Sequence, residues 1–93
     1  MIRTFADHET ELVWNEAGSR RLPLQIQQRA LNKLALLNRA ARLDDLRVPP
    51  GNRLEALRGD RSGQHSIRIN DQWRVCFRWE AGDAFDVEIC DYH

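Results

Sequence analysis

Trp73-Arg74-Val75-Cys76-Phe77-Arg78-Trp79 is the stretch that decides the fold. Trp73, Val75, Phe77 and Trp79 occupy every second position, with Arg74, Cys76 and Arg78 between them. Successive side chains of a β-strand point to opposite faces, so this run predicts a strand with one apolar and one arginine-bearing face. The pattern extends both ways. Upstream, Ile67 and Ile69 alternate with Ser66, Arg68 and Asn70, and Asn70-Asp71-Gln72 forms a tight connection. Downstream, Ala81-Gly82-Asp83 turns the chain, after which Phe85, Val87 and Ile89 alternate with Asp86, Glu88 and Cys90. Three consecutive strands of this kind predict an antiparallel meander with a buried face and a wet one.

The first half of the chain has a different period. Ile26, Ala30, Leu34 and Leu37 recur at steps of four, four and three, which places them on one face of a helix over roughly 23–40, with Pro23 in its first turn. Before it, Asp7 is suited to cap a shorter helix, with Glu9 and Glu11 near its positive end and Val13, Trp14 and Ala17 as its packing stripe. Gly18-Ser19 is expected to end that helix. Ile2, Thr4 and Phe5 suggest a short opening strand, Leu43–Leu46 a single helical turn, and Leu54 with Leu57 bracket a brief strand after Pro49-Pro50-Gly51. The expected fold is α+β, with two N-terminal helices packed on a mainly antiparallel sheet in the order β-α-α-β-β-β-β.

Ninety-three residues suit one core, so a single domain over 1–93 is expected. No stretch approaches the roughly 18 apolar residues that span a bilayer, and the N-terminus has no signal-peptide pattern. A cytoplasmic protein without a membrane partner is the expectation. Cys76 and Cys90 lack metal-ligand or CxxC spacing. A disulfide between their neighbouring strands is geometrically conceivable, but reduced thiols are expected in the cytoplasm. His8, His65 and His93 are scattered, so neither a metal nor any other cofactor is expected.

The net charge is zero, yet its distribution is uneven. Residues 39–78 carry nine arginines against five acids, whereas residues 79–93 carry five acids and no lysine or arginine. Arginine presents a planar fork that grips phosphate bidentately, and it also pairs with carboxylates on a neighbouring strand. Both uses are open here. Arg68, Arg74 and Arg78 share the wet face with Asp86 and Glu88, Arg58 and Arg61 flank it in a glycine-containing loop, and the chain ends in Asp91-Tyr92-His93. Arginines beside an aromatic hydroxyl and an imidazole are the parts of a metal-free ribonuclease. Such an enzyme needs a base for the 2′-hydroxyl, an acid for the departing 5′-oxygen and cations for the phosphoryl charge. Histidine can be acid or base; arginine can only hold and neutralise. The competing readings are structural: Arg78 as a partner of the acidic strand, Tyr92 as an anchor of the strand end, His93 as a frayed terminus. His65 can face either way.

Longer motifs add to this. The runs Pro49-Pro50-Gly51-Asn52-Arg53-Leu54-Glu55-Ala56-Leu57, Gly59-Asp60-Arg61 and Gly63-Gln64-His65-Ser66-Ile67-Arg68-Ile69-Asn70-Asp71-Gln72-Trp73-Arg74 resemble the HigB branch of the RelE/ParE toxin superfamily. Val87-Glu88-Ile89 with Asp91-Tyr92-His93 resembles the same branch. The resemblance implies a RelE-like fold and the toxin of a type II toxin-antitoxin system that cuts mRNA in the ribosomal A site through the 2′-hydroxyl, without a metal. It implies a HigA-like helix-turn-helix antitoxin as partner, with operator DNA reached only through that antitoxin. By resemblance, Arg74 is the phosphate-contacting arginine, Asp91, Tyr92 and His93 are active-site residues, and Arg58 stabilises charge. Arg61, Arg68, His65 and Asn70 are the further RNA-contact candidates. Glu55 stands where some relatives place an active-site histidine, and Asn70 where some place another arginine. Two alternatives are a non-catalytic blocker, as the gyrase-poisoning ParE relatives are, and a degenerate scaffold that serves only as co-repressor.

Overall fold

A computed structural model describes residues 1–91. Helix α1 (His8–Trp14) starts where expected: Asp7 caps it by accepting from the Thr10 amide at 3.0 Å. It stops sooner than expected, at Asn15, with Glu16 in the left-handed region. Ala17 is therefore exposed, and Thr10 with Val13 forms the buried stripe. The loop beyond is held by Gln27, whose amide donates to the Ser19 and Leu22 carbonyls at 2.8 and 2.9 Å. Helix α2 (Leu24–Arg39) buries Ile26, Ala30, Leu34 and Leu37, the face that its spacing predicts, and Pro23 sits one position earlier, as the N-cap.

Strands β1 (Glu55–Ala56), β2 (Gln64–Arg68), β3 (Trp73–Glu80) and β4 (Asp83–Asp91) form one antiparallel sheet in that order. The opening segment is not a regular strand. It runs parallel to the outer edge of β4 and touches it at two bridges, Ile2 to Ala84 and Phe5 to Val87. Between those bridges β4 bulges at Asp86, which has a φ of +53° and whose amide donates to Thr4 Oγ1 at 2.8 Å. A bulge inserts one residue and resets the alternation. Ala84, Val87 and Ile89 consequently point into the core, whereas Phe85 pairs with Arg78 on the opposite side of the sheet. The expectation that Phe85 would share the core face is corrected by that extra residue.

The main core lies between the helices and the face of Ile67, Ile69, Val75, Phe77, Val87 and Ile89. Helix α1 is tied to it by Thr10, fully buried, whose hydroxyl accepts from the Ile89 amide at 2.9 Å. The short helical turn Leu43–Arg47 adds Leu46. Lys33 Nζ donates at 2.6 Å to Asn52, itself buried and bonded to the Leu46 and Val48 carbonyls, which fastens the turn after the prolines to α2.

Candidate functional site

The far face of the sheet is where the structure departs most from expectation. It is not uniformly wet. Ser66, Arg74, Cys76 and Cys90 are all buried on it, where Arg53, Leu57 and Arg61, from either side of β1, reach over it. Leu57 packs on the two cysteines, the Arg53 carbonyl reaches Arg74, and Arg61 pairs with Glu88 at 3.1 Å.

Arg74 is the centre of this arrangement and only 8% exposed. Its Nε donates to Ser66 Oγ at 2.7 Å, and one terminal nitrogen donates to the Arg53 carbonyl at 2.6 Å. Arg53 presents that carbonyl because it closes the turn Pro50–Asn52 with a φ of +46°. Glu55 lies 3.5 Å from the same guanidinium and is half exposed. Three partners, one each from β2, β1 and the turn before β1, fix the orientation of a buried cation. A buried charge is tolerated where pairing and hydrogen bonds replace its lost water.

Arg58 is the opposite case. It is exposed, shares an open groove with Glu55, Ala56 and Leu57, and its side chain has no hydrogen bond or ion pair with the described residues. Through Glu55, that groove adjoins Arg74. Asp91 ends β4 opposite Trp73 in the ladder and accepts from Gln72 Nε2 at 3.0 Å, so the ladder ends next to Arg74. Tyr92 and His93 lie outside the described residues.

The remaining positions divide. Arg78 is held by Asp86 (2.8 Å) and Glu80 (2.6 Å), bonds that raise its pKa, and its guanidinium lies 5.4 Å from the Phe85 ring centre. It serves the bulge. Arg61 also bonds Gln64, and Arg68 pairs with Asp71. Asn70 accepts from the Gln72 and Trp73 amides at 2.9 and 2.8 Å, an Asx turn that joins β2 to β3. His65 faces the helices and stacks on Phe77 with ring centres 6.3 Å apart. Sequence reasoning missed Ser66 and the Arg53 carbonyl as partners of Arg74. The even spacing of Ser66 and Arg74 from Arg68 and its cross-strand register was the available signal.

Residues 3–93 match the family model for HigB-like toxins, described as the RelE-like toxin of the type II toxin-antitoxin system HigB. The chain belongs to this family. It is the toxin component of a type II toxin-antitoxin pair. Toxin HigB-1 of Vibrio cholerae serotype O1 is 39% identical over 90 residues, covering 96% of this chain and 95% of that one. Endoribonuclease HigB of Proteus vulgaris is 29% identical over 93 residues, covering both chains completely. The fold has a solved counterpart in the YoeB-YefM complex from Staphylococcus aureus. That chain has a TM-score of 0.61 and 14% identity, with 100% of this HigB-like toxin and 98% of the other chain covered. The two-helix, four-strand architecture is thus a RelE-type one. No helix among the described residues is long and apolar enough to cross a membrane.

Proposed function

We propose that this chain, as one domain over residues 1–93, is a cytoplasmic endoribonuclease that cuts mRNA on the ribosome and so stops translation. The observation that carries this reading is the set of bonds on Arg74. A guanidinium pre-oriented by Ser66 and the Arg53 carbonyl, with a half-exposed carboxylate as its third partner, is ready to exchange that carboxylate for a phosphate. Arginine then grips two phosphate oxygens in its fork. Arg58, beside Glu55 and unpaired among the described residues, supplies the second positive charge.

The reaction is transesterification within the RNA. The 2′-oxygen loses its proton to a base, attacks the adjacent phosphorus and forms a 2′,3′-cyclic phosphate as the bond to the 5′-oxygen breaks. An acid protonates that leaving oxygen. His93 is assigned one of these proton transfers, with Tyr92 and Asp91 positioning the imidazole or the nucleotide. Arg74 and Arg58 neutralise the charge that grows on the phosphoryl oxygens. None of these roles calls on a metal. Arg61 and Arg68 border the site as secondary RNA contacts, each while paired to a carboxylate. Asn70 and His65 act on RNA only indirectly, through the turn and the strand that they hold.

A HigA-like helix-turn-helix antitoxin is assigned as the inhibitor, binding operator DNA on behalf of both proteins. The test is a cleavage assay on defined mRNA with and without ribosomes. Cuts that require ribosomes and persist in EDTA support the reading. Cuts on naked mRNA alone, or inhibition of gyrase without RNA cleavage, would replace it.

A further inference from the structure

The register places Cys76 opposite Glu88 and Cys90 opposite Arg74, so the two cysteines are diagonal neighbours on one face of the β3–β4 hairpin. Both are free and buried, and with Leu57 they form a small cluster separate from the main core. The two side chains pack together in that cluster, and the Cys90 thiol donates to the Glu88 carbonyl at 3.7 Å. Arg61 and Arg74 both act electrostatically on Cys76.

We propose that Cys76 and Cys90 are a peroxide-sensitive pair whose disulfide displaces Arg74 and so turns the site off. The assignment of an effect to Arg74 rests on the phosphate-binding role given to it above. The neighbouring Cys90 thiol lowers the pKa of Cys76, whereas Cys76 and burial raise that of Cys90, so Cys76 is the thiol that ionises first. Its thiolate attacks one oxygen of hydrogen peroxide, giving a sulfenic acid and hydroxide. The Cys90 sulfur then attacks the sulfenic sulfur, and its oxygen leaves as water. Two thiols and one peroxide become one disulfide and two waters.

Geometry makes this bond reversible and consequential. Diagonal partners across an antiparallel pair lie about 7–8 Å apart at Cα, beyond the 4.4–6.8 Å usual for disulfides. Closing it therefore makes β3 and β4 shift along one another, and the residue directly opposite Cys90 is Arg74. A strained disulfide is also readily reduced, which suits a reducing compartment. Leu57, which follows the two-residue edge strand β1, covers the cluster, so oxidation requires this side chain to move aside.

The experiment treats the folded, reduced protein with stoichiometric hydrogen peroxide. Peptide mass spectrometry without reductant, tryptophan fluorescence (Trp73 adjoins Arg74) and ribosome-programmed mRNA cleavage are followed. The expected result is a Cys76–Cys90 disulfide, a fluorescence change and at least a tenfold loss of cleavage, all reversed by dithiothreitol. Cys90→Ala and Cys76→Ala should cleave normally and resist the oxidant. Failure of the native protein to form the intramolecular disulfide overturns the proposal, as does a disulfide that leaves both fluorescence and cleavage unchanged. Reduced wild type that never cleaves refutes the nuclease reading instead, and mass and fluorescence then still decide whether the pair closes onto Arg74.

Discussion

Arg74 on β3 is bonded through Nε to the hydroxyl of Ser66 on β2 at 2.7 Å, and both residues are buried. The serine is therefore part of what keeps a cation inside the sheet. Ser66→Ala leaves Nε–H without a partner, and an unmet buried donor costs about 1–3 kcal/mol. Urea denaturation should show an unfolding free energy lower by that amount. Cleavage should fall mainly in kcat, because the guanidinium loses its orientation. A variant as stable and active as wild type would contradict the role.

Arg58 should behave in the reverse way. It is exposed and unpaired among the described residues, so Arg58→Ala should change stability by no more than about 0.5 kcal/mol. A hydrogen bond to a charged group contributes about 1.5–3 kcal/mol. At 1.36 kcal/mol per tenfold, cleavage should drop by about 10–100-fold. Arg58→Lys should recover much of it.

The bulge at Asp86 offers a test of the fold. Its φ of +53° disfavours β-branched residues, and its carboxylate holds Arg78. Asp86→Val should cost about 1–2 kcal/mol for the backbone, beyond the lost ion pair. Asp86→Gly should lose only the pair. Melting temperatures should fall in the order wild type, Gly, Val; a Val variant above the Gly variant would exclude strain at this position.

Asp83 carries a pH prediction. A hydrogen bond from Arg3, with further help from the N-terminal amine 3.3 Å away, lowers its pKa. A carboxylate with a depressed folded pKa adds stability above its unfolded value, near 3.9, and loses it as pH falls through the folded value. The melting-temperature gap between wild type and Asp83→Asn should be constant between about pH 5 and pH 7 and close below pH 4. A gap that widens on acidification would reverse the sign.

The helical period of α2 and the strict alternation of β3 were legible because each reports a side chain facing one large core. Phe85 was misplaced because nothing local in Asp86 announces a bulge; it follows from Thr4 bonding the Asp86 amide, 82 positions away in sequence. Thr10 was missed for a similar reason, since its buried hydroxyl serves the Ile89 amide. The arginine-bearing face was visible as a pattern. Its burial was not, because alternation cannot tell that Arg53, Leu57 and Arg61 reach over it. Arg78 as a structural residue was readable from the acidic strand beside it, and its partner proved to be Asp86. The Arg61–Glu88 and Glu55–Arg74 pairs join residues that no spacing rule connects.

The proposed role of Arg74 in this HigB-like toxin is to hold the phosphate at which translated mRNA is cut. Primer extension on cellular mRNA after pulse induction of wild type and Arg74→Ala tests it most directly, with the folded fraction of the variant checked by circular dichroism. Codon-spaced cuts are expected with wild type and none with the folded variant. Arrest of growth without mRNA cuts, or equal cutting by a folded Arg74→Ala protein, would contradict it.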